Sequence, residues 1–101
     1  MSYQLTIVTP NGKIFDGPVD MLMAPGKAGG FGVLGGHAPM LSALKPGALK
    51  VTHQQREDFF GIASGVLEVN QQHQVLILTN AAQSASNLDE AVSRSKEFEN
   101  I

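Results

Sequence analysis

No cysteine occurs among these 101 residues, which removes a disulfide framework and thiolate chemistry from consideration. No apolar run exceeds four or five residues, far short of the ~20 that a membrane-spanning helix needs. The N-terminus lacks the charged-then-apolar layout of a signal peptide, so a cytosolic location without membrane insertion is expected. Charge is scarce too. Charged residues make up 16% of the chain, the net charge is −2, and the seven Lys and Arg are dispersed, leaving no basic footprint for nucleic acid. What the chain does have is 43% hydrophobic content with five phenylalanines. That suffices for one core, burying roughly 60 to 68% of the unfolded surface, and one domain plus an appendage is the ceiling.

Along the chain, Tyr3, Leu5 and Ile7 alternate with Gln4 and Thr6, the period of a strand with one face on a core. Pro10-Asn11-Gly12 predicts a turn. Ile14 and Phe15 begin the return, Gly17 is expected to bulge or bend it, and Val19, Met21 and Met23 are expected on one face. Ala48–Thr52, Phe59–Ala63, Val66–Val69 and Val75–Leu78 predict further strands. The turns between them are His53–Glu57, Ser64-Gly65 and Asn70–His73. Eight or nine strands recur about every ten residues, and no helical period appears before residue 86, which argues an antiparallel sandwich or barrel. Gln83-Ser84-Ala85-Ser86 reads as a polar linker. Asn87 with Glu90 forms a capping box for a helix of about 14 residues, with Leu88, Ala91, Val92, Ser95 and Phe98 on one face.

Between these lies the most constrained stretch, Gly29 to Gly47, GGFGVLGGHAPMLSALKPG. Its glycines and prolines specify short strands and tight corners. Gly30-Phe31-Gly32-Val33-Leu34-Gly35 satisfies the dinucleotide fingerprint, but Gly36-His37-Ala38-Pro39 is a poor helix start to receive a pyrophosphate. His37, His53 and His73 have no ligand spacing for a metal, so neither metal nor cofactor is expected. His53 and His73 are read as solvated, as are Asp16, Asp20, Glu57 and Asp58; Met21, Met23 and Met40 are read as core filler. A hydrolase using His37 and Ser42 lacks a second oriented group, and Ser64 sits one position away from a nucleophile elbow. The residues require no enzyme, and no catalytic residue is assigned.

GVLGGHAPMLSALKPG, with Phe15-Asp16-Gly17 before it and Ser64-Gly65-Val66-Leu67-Glu68-Val69 after it, resembles the ε-subunit family of bacterial F-type proton-translocating ATP synthases. The resemblance runs from about Leu5 to about Glu90. It implies a mainly β fold: a flattened antiparallel β-sandwich of about ten short strands (residues 1–82), followed by a linker and one short C-terminal α-helix (83–101).

The function it implies is that of a non-catalytic rotor subunit in the central stalk, at the cytoplasmic face of the plasma membrane. Such a subunit links the γ subunit to the membrane c-ring in proton-coupled ATP synthesis, with transient contact to the catalytic head through the tail. His37, Ser42 and Thr9 match positions that face γ. Gly26, Lys27, Ala28, Gly29 and Gly30 match the loop that touches the c-ring, here through backbone and polar contacts. Longer family members hold ATP through Ile or Leu, Asp, two variable residues, Arg and Ala in a two-helix tail. In Leu88-Asp89-Glu90-Ala91-Val92-Ser93 the cation is replaced by Val92, so neither ATP sensing nor tail inhibition is expected. From another class, the alternative is a free-standing β-sandwich module binding a small ligand or carbohydrate.

Overall fold

The computed structural model describes residues 1–101. Ten strands precede one helix: β1 (Tyr3–Thr9), β2 (Gly12–Val19), β3 (Met21–Gly26), β4 (Gly29–Leu34), β5 (Met40–Leu44), β6 (Gly47–His53), β7 (Arg56–Ile62), β8 (Gly65–Val69), β9 (Val75–Thr79), β10 (Ala82–Ala85) and α1 (Leu88–Lys96). One half of the sandwich runs β4-β3-β6-β7-β10 and the other β5-β8-β9-β1-β2. They are joined where Gly26 pairs with Leu44. All ladders are antiparallel except one: β1 runs parallel to β9, Leu5 pairing with Val75 and Val8 with Leu78.

The inward faces close over a single core. Tyr3, Leu5 and Ile7 of β1 are buried as their alternation predicts, against Leu22, Val33, Leu49, Ile62, Leu67 and Ile77. Phe15 meets Phe60 edge-on, centroids 6.1 Å apart, the geometry favoured by the ring quadrupoles.

Several local expectations are corrected. The bulge lies at Ile14, not Gly17. Ile7 pairs with Phe15 and Val8 with Lys13, leaving Ile14 as the extra residue, while Gly17 pairs regularly with Leu5. The inward face of β3 is Leu22 and Ala24, not Met21 and Met23, and Met23 is 39% exposed. Asp20 breaks the chain between β2 and β3, its amide donating to Thr52 O and its carboxylate accepting from Gln54 N–H. That one-residue interruption reverses the parity of everything after it. Gln83–Ala85, read as linker, belongs to β10, which pairs with β7.

The helix is shorter than expected, nine residues or about 14 Å. It continues as i→i−3 turns through Ile101. Asn87 Oδ1 accepts from Glu90 N–H at 2.8 Å, but the Glu90 carboxylate reaches back to Ser86 N–H rather than to the cap itself. Only Ala91 and Ser95 of the apolar stripe are buried; Leu88 and Val92 remain exposed. The reason is Gly61. A Cβ there would lie 2.5 Å from Ala91 O and 2.8 Å from Ser95 N, so the helix backbone rests directly on β7 through its small residues and not through its large ones.

Candidate functional site

Because consecutive strands alternate in direction, the turns separate to two ends of the sandwich. One end carries the β1–β2, β3–β4, β5–β6, β7–β8 and β9–β10 turns; the other carries the loop with His37 and the corners at Asp20, Gln54 and His73.

At the His37 end the loop Gly35–Pro39 is fixed by its own bonds. His37 N–H donates to Leu34 O. Its ring Nδ1 lies 2.7 Å from Ala38 O, and since a carbonyl only accepts, Nδ1 carries the proton. By the same reasoning His73 Nδ1 donates to His37 O at 2.9 Å. His73 is exposed, as expected, and also clamps the His37 loop, a link between residues 36 apart in sequence. His53 is likewise not free, its Nδ1 standing 3.4 Å from Asp20 Oδ2 in a contact too poorly aligned for a hydrogen bond. The Gln54 N–H holds the Asp20 carboxyl below its ordinary range, with the His53 and N-terminal charges assisting.

Of the other carboxylates read as a solvated face, Asp16 and Glu57 are engaged, whereas Asp58 forms no hydrogen bond or ion pair. Asp16 accepts from Gln4, Thr6 and Lys13, and the Lys13 bond is the largest influence lowering its pKa. Glu57 pairs with Lys50 at 3.4 Å.

At the opposite end, the five turns surround an open groove of about 760 Å³. Here the structure brings together Thr9 and Lys27, which the resemblance implies for different partners, and separates both from His37. Thr9 is mostly occupied: its hydroxyl oxygen accepts from Asn11 N–H and donates to Gly12 O within its own turn. Lys27 N–H donates to Ala43 O at 2.9 Å and Lys45 N–H to Pro25 O at 3.0 Å, fixing the two turns side by side. Gly47 allows this junction, since a Cβ there would lie 2.7 Å from Pro25 Cβ.

Ser42 lies on β5, which is paired along its length only with β8. It shares the inward side with Leu67, and its hydroxyl reaches only the Ala43 carbonyl, at 3.5 Å. Ser42 and His37 therefore share no bond that could activate the Ser42 hydroxyl. Gly30–Gly35 forms β4 and its closing corner, with no helix after it.

The outward side of the β5-β8-β9-β1 half was not legible as a site. Register places Leu41, Glu68, Leu76 and Thr6 in one row and Ala43, Val66, Leu78 and Val8 in the next. Leu41 is 74%, Leu78 49% and Val66 38% exposed, and aligned exposed apolar side chains mark interaction surfaces. Its only sequence signal was the unbroken apolar run Val75–Leu78, which on a half-buried strand leaves every second residue outside.

A family model described as the ATP synthase delta/epsilon chain β-sandwich domain matches residues 2–85. The ATP synthase epsilon chain of Acidithiobacillus ferridurans is 36% identical over 91 residues, 90% of this chain and 64% of that protein. The epsilon chain of Nitrosococcus oceani is 40% identical over 92 residues, 90% and 65% respectively. That of Legionella pneumophila is 43% identical over 88 residues, 86% and 62%. The chain thus spans a little under two thirds of the length of these curated relatives. A chain in the Euglena gracilis mitochondrial ATP synthase OSCP/F1/c-ring structure superposes with a TM-score of 0.78 at 29% identity, covering 82% of this chain and 53% of that one. A chain of the Tetrahymena thermophila mitochondrial ATP synthase central stalk and c-ring matches in fold, with a TM-score of 0.70 at 16% identity, covering 96% and 90%.

Proposed function

This chain belongs to the delta/epsilon-chain family of ATP synthase, and from that premise we propose that it is a non-catalytic rotor subunit of the central stalk, linking the γ subunit to the c-ring and supporting proton-coupled ATP synthesis. The family match over residues 2–85, which spans all ten strands, carries this reading. The subunit works as part of a peripheral complex at the cytoplasmic face of the bacterial plasma membrane. Residues 1–85 act as the gripping sandwich, and the remaining residues as a tail that meets the catalytic head only transiently.

The two-ended layout supports separate contacts. In this reading γ meets His37, the Ser42 edge of β5 and the apolar row around Leu41, with Thr9 at the far margin. The c-ring meets the β3–β4 loop, Gly26 to Gly30. Rotor coupling needs a stiff body with a sizeable interface more than a reactive group.

A free-standing ligand-binding module is not favoured, because the largest concavity is an open groove among turns rather than an enclosed pocket. Pull-down of the tagged chain from solubilised membranes tests the choice: γ and the c-ring are expected to come with it. Recovery of a monodisperse protein free of both would overturn the rotor reading.

A further inference from the structure

The five turns around the groove, residues 9–12, 26–29, 44–47, 62–65 and 79–82, contain two lysines and no carboxylate, although the chain as a whole is negative. The sandwich's other lysines are neutralised, Lys13 by Asp16 at 3.1 Å and Lys50 by Glu57 at 3.4 Å. Lys27 and Lys45 form no ion pair. They are 18 residues apart in sequence, yet the reciprocal bonds from Lys27 N–H to Ala43 O and from Lys45 N–H to Pro25 O hold them together on one lip. The groove also takes in Val8, Val66 and Leu78. Two of its hydroxyls are already engaged, Thr79 Oγ1 lying 3.0–3.1 Å from three backbone carbonyls and Thr9 serving its own turn, while that of Ser64 forms no side-chain bond.

A compact phosphate would meet the two ammonium groups but would leave the apolar wall of Val8, Val66 and Leu78 without a partner. A polypeptide loop bringing carboxylates to the lysines and apolar side chains to the wall satisfies both halves. We propose that this groove is the seat of a carboxylate-bearing loop of a partner protein, Lys27 and Lys45 acting together as its anchor. Resting on the rotor reading above, the partner is the c-ring, and the loop that meets this end is acidic.

The test measures binding of the 101-residue chain to its own organism's detergent-purified c-ring, immobilised on a sensor surface. Both lysines are exposed, so substitution leaves the fold intact, which an unchanged melting temperature verifies. Lys27→Gln with Lys45→Gln is expected to weaken binding at least tenfold and to flatten its dependence on salt between about 50 and about 500 mM. Changing the ring-loop carboxylates to amides should produce the same loss. If the unsubstituted chain does not bind the ring, the rotor reading fails and this assignment with it. If it binds and the double variant binds equally well, the groove assignment alone is overturned. Loss of binding to phosphatidylglycerol vesicles or to γ, with ring binding intact, would overturn it in favour of a lipid headgroup or of γ.

Discussion

Tyr3 and Asp20 pull the pH dependence of this protein in opposite directions. The Tyr3 hydroxyl donates to Val33 O at 2.8 Å inside the core, and burial, with the Asp20 charge adding to it, raises its pKa. An unfolded phenol ionises near pH ~10. Stability is therefore whole below that pH and is lost as pH rises beyond it, because only the unfolded chain releases the proton readily. For Asp20 and Asp16 the folded-state pKa is lowered. Their contribution is present above the unfolded carboxylate value, near ~4, and is lost as pH falls through the lower folded value. Melting temperature is expected to be level between about pH 5 and 9 and to fall on both sides. Tyr3→Phe should flatten the alkaline limb and Asp20→Asn part of the acid limb; an alkaline limb unchanged in Tyr3→Phe would show that another group sets it. The burial of Tyr3 was legible from the alternation of its neighbours. The engagement of Asp20, His53 and His73 was not, because each partner is supplied by a turn far away in sequence.

At the scale of the element, α1 is held by contact distance more than by buried area. Gly61→Ala places a methyl into the helix backbone and should undock α1 while the sheet persists, at a cost of about 1–3 kcal/mol. Amide hydrogen exchange would register this as lost protection over residues 88–96 with protection of β6 and β7 retained; a uniform loss would mean that the helix and the sheet unfold together. The same helix bears on nucleotide binding. Val92 is exposed where the related motif has a cation, whereas the Arg94 side chain packs over Gly61 with Glu90 Oε1 4.0 Å away. Calorimetric titration of ATP into this chain is expected to give no heat at micromolar concentration, and saturable micromolar binding would refute that. The strands with strong alternation were readable in the sequence. β10 was not, because Ala82–Ala85 is small and polar and becomes a strand only through pairing with β7, and the true length of α1 depends on where its small residues meet Gly61.

The whole molecule is one core shared by both halves, so damage at one point should be felt everywhere. Ile7, fully buried between β2 and β9, is a sensitive place to test this. Ile7→Ala is expected to cost about 2–5 kcal/mol, with a single urea transition whose slope is unchanged; two separated transitions would mean that the halves are independent. Topology of this kind also carries a consequence for synthesis. The parallel pairing of β1 with β9 gives the first strand made a neighbour that is almost the last to appear. On the ribosome, β1 has β2 along one edge, while its other edge waits through most of translation with its amides and carbonyls unmet. Nascent chains arrested before Val75 should accordingly be sensitive to protease and held by chaperones, and arrest positions that let β9 clear the exit tunnel should release them.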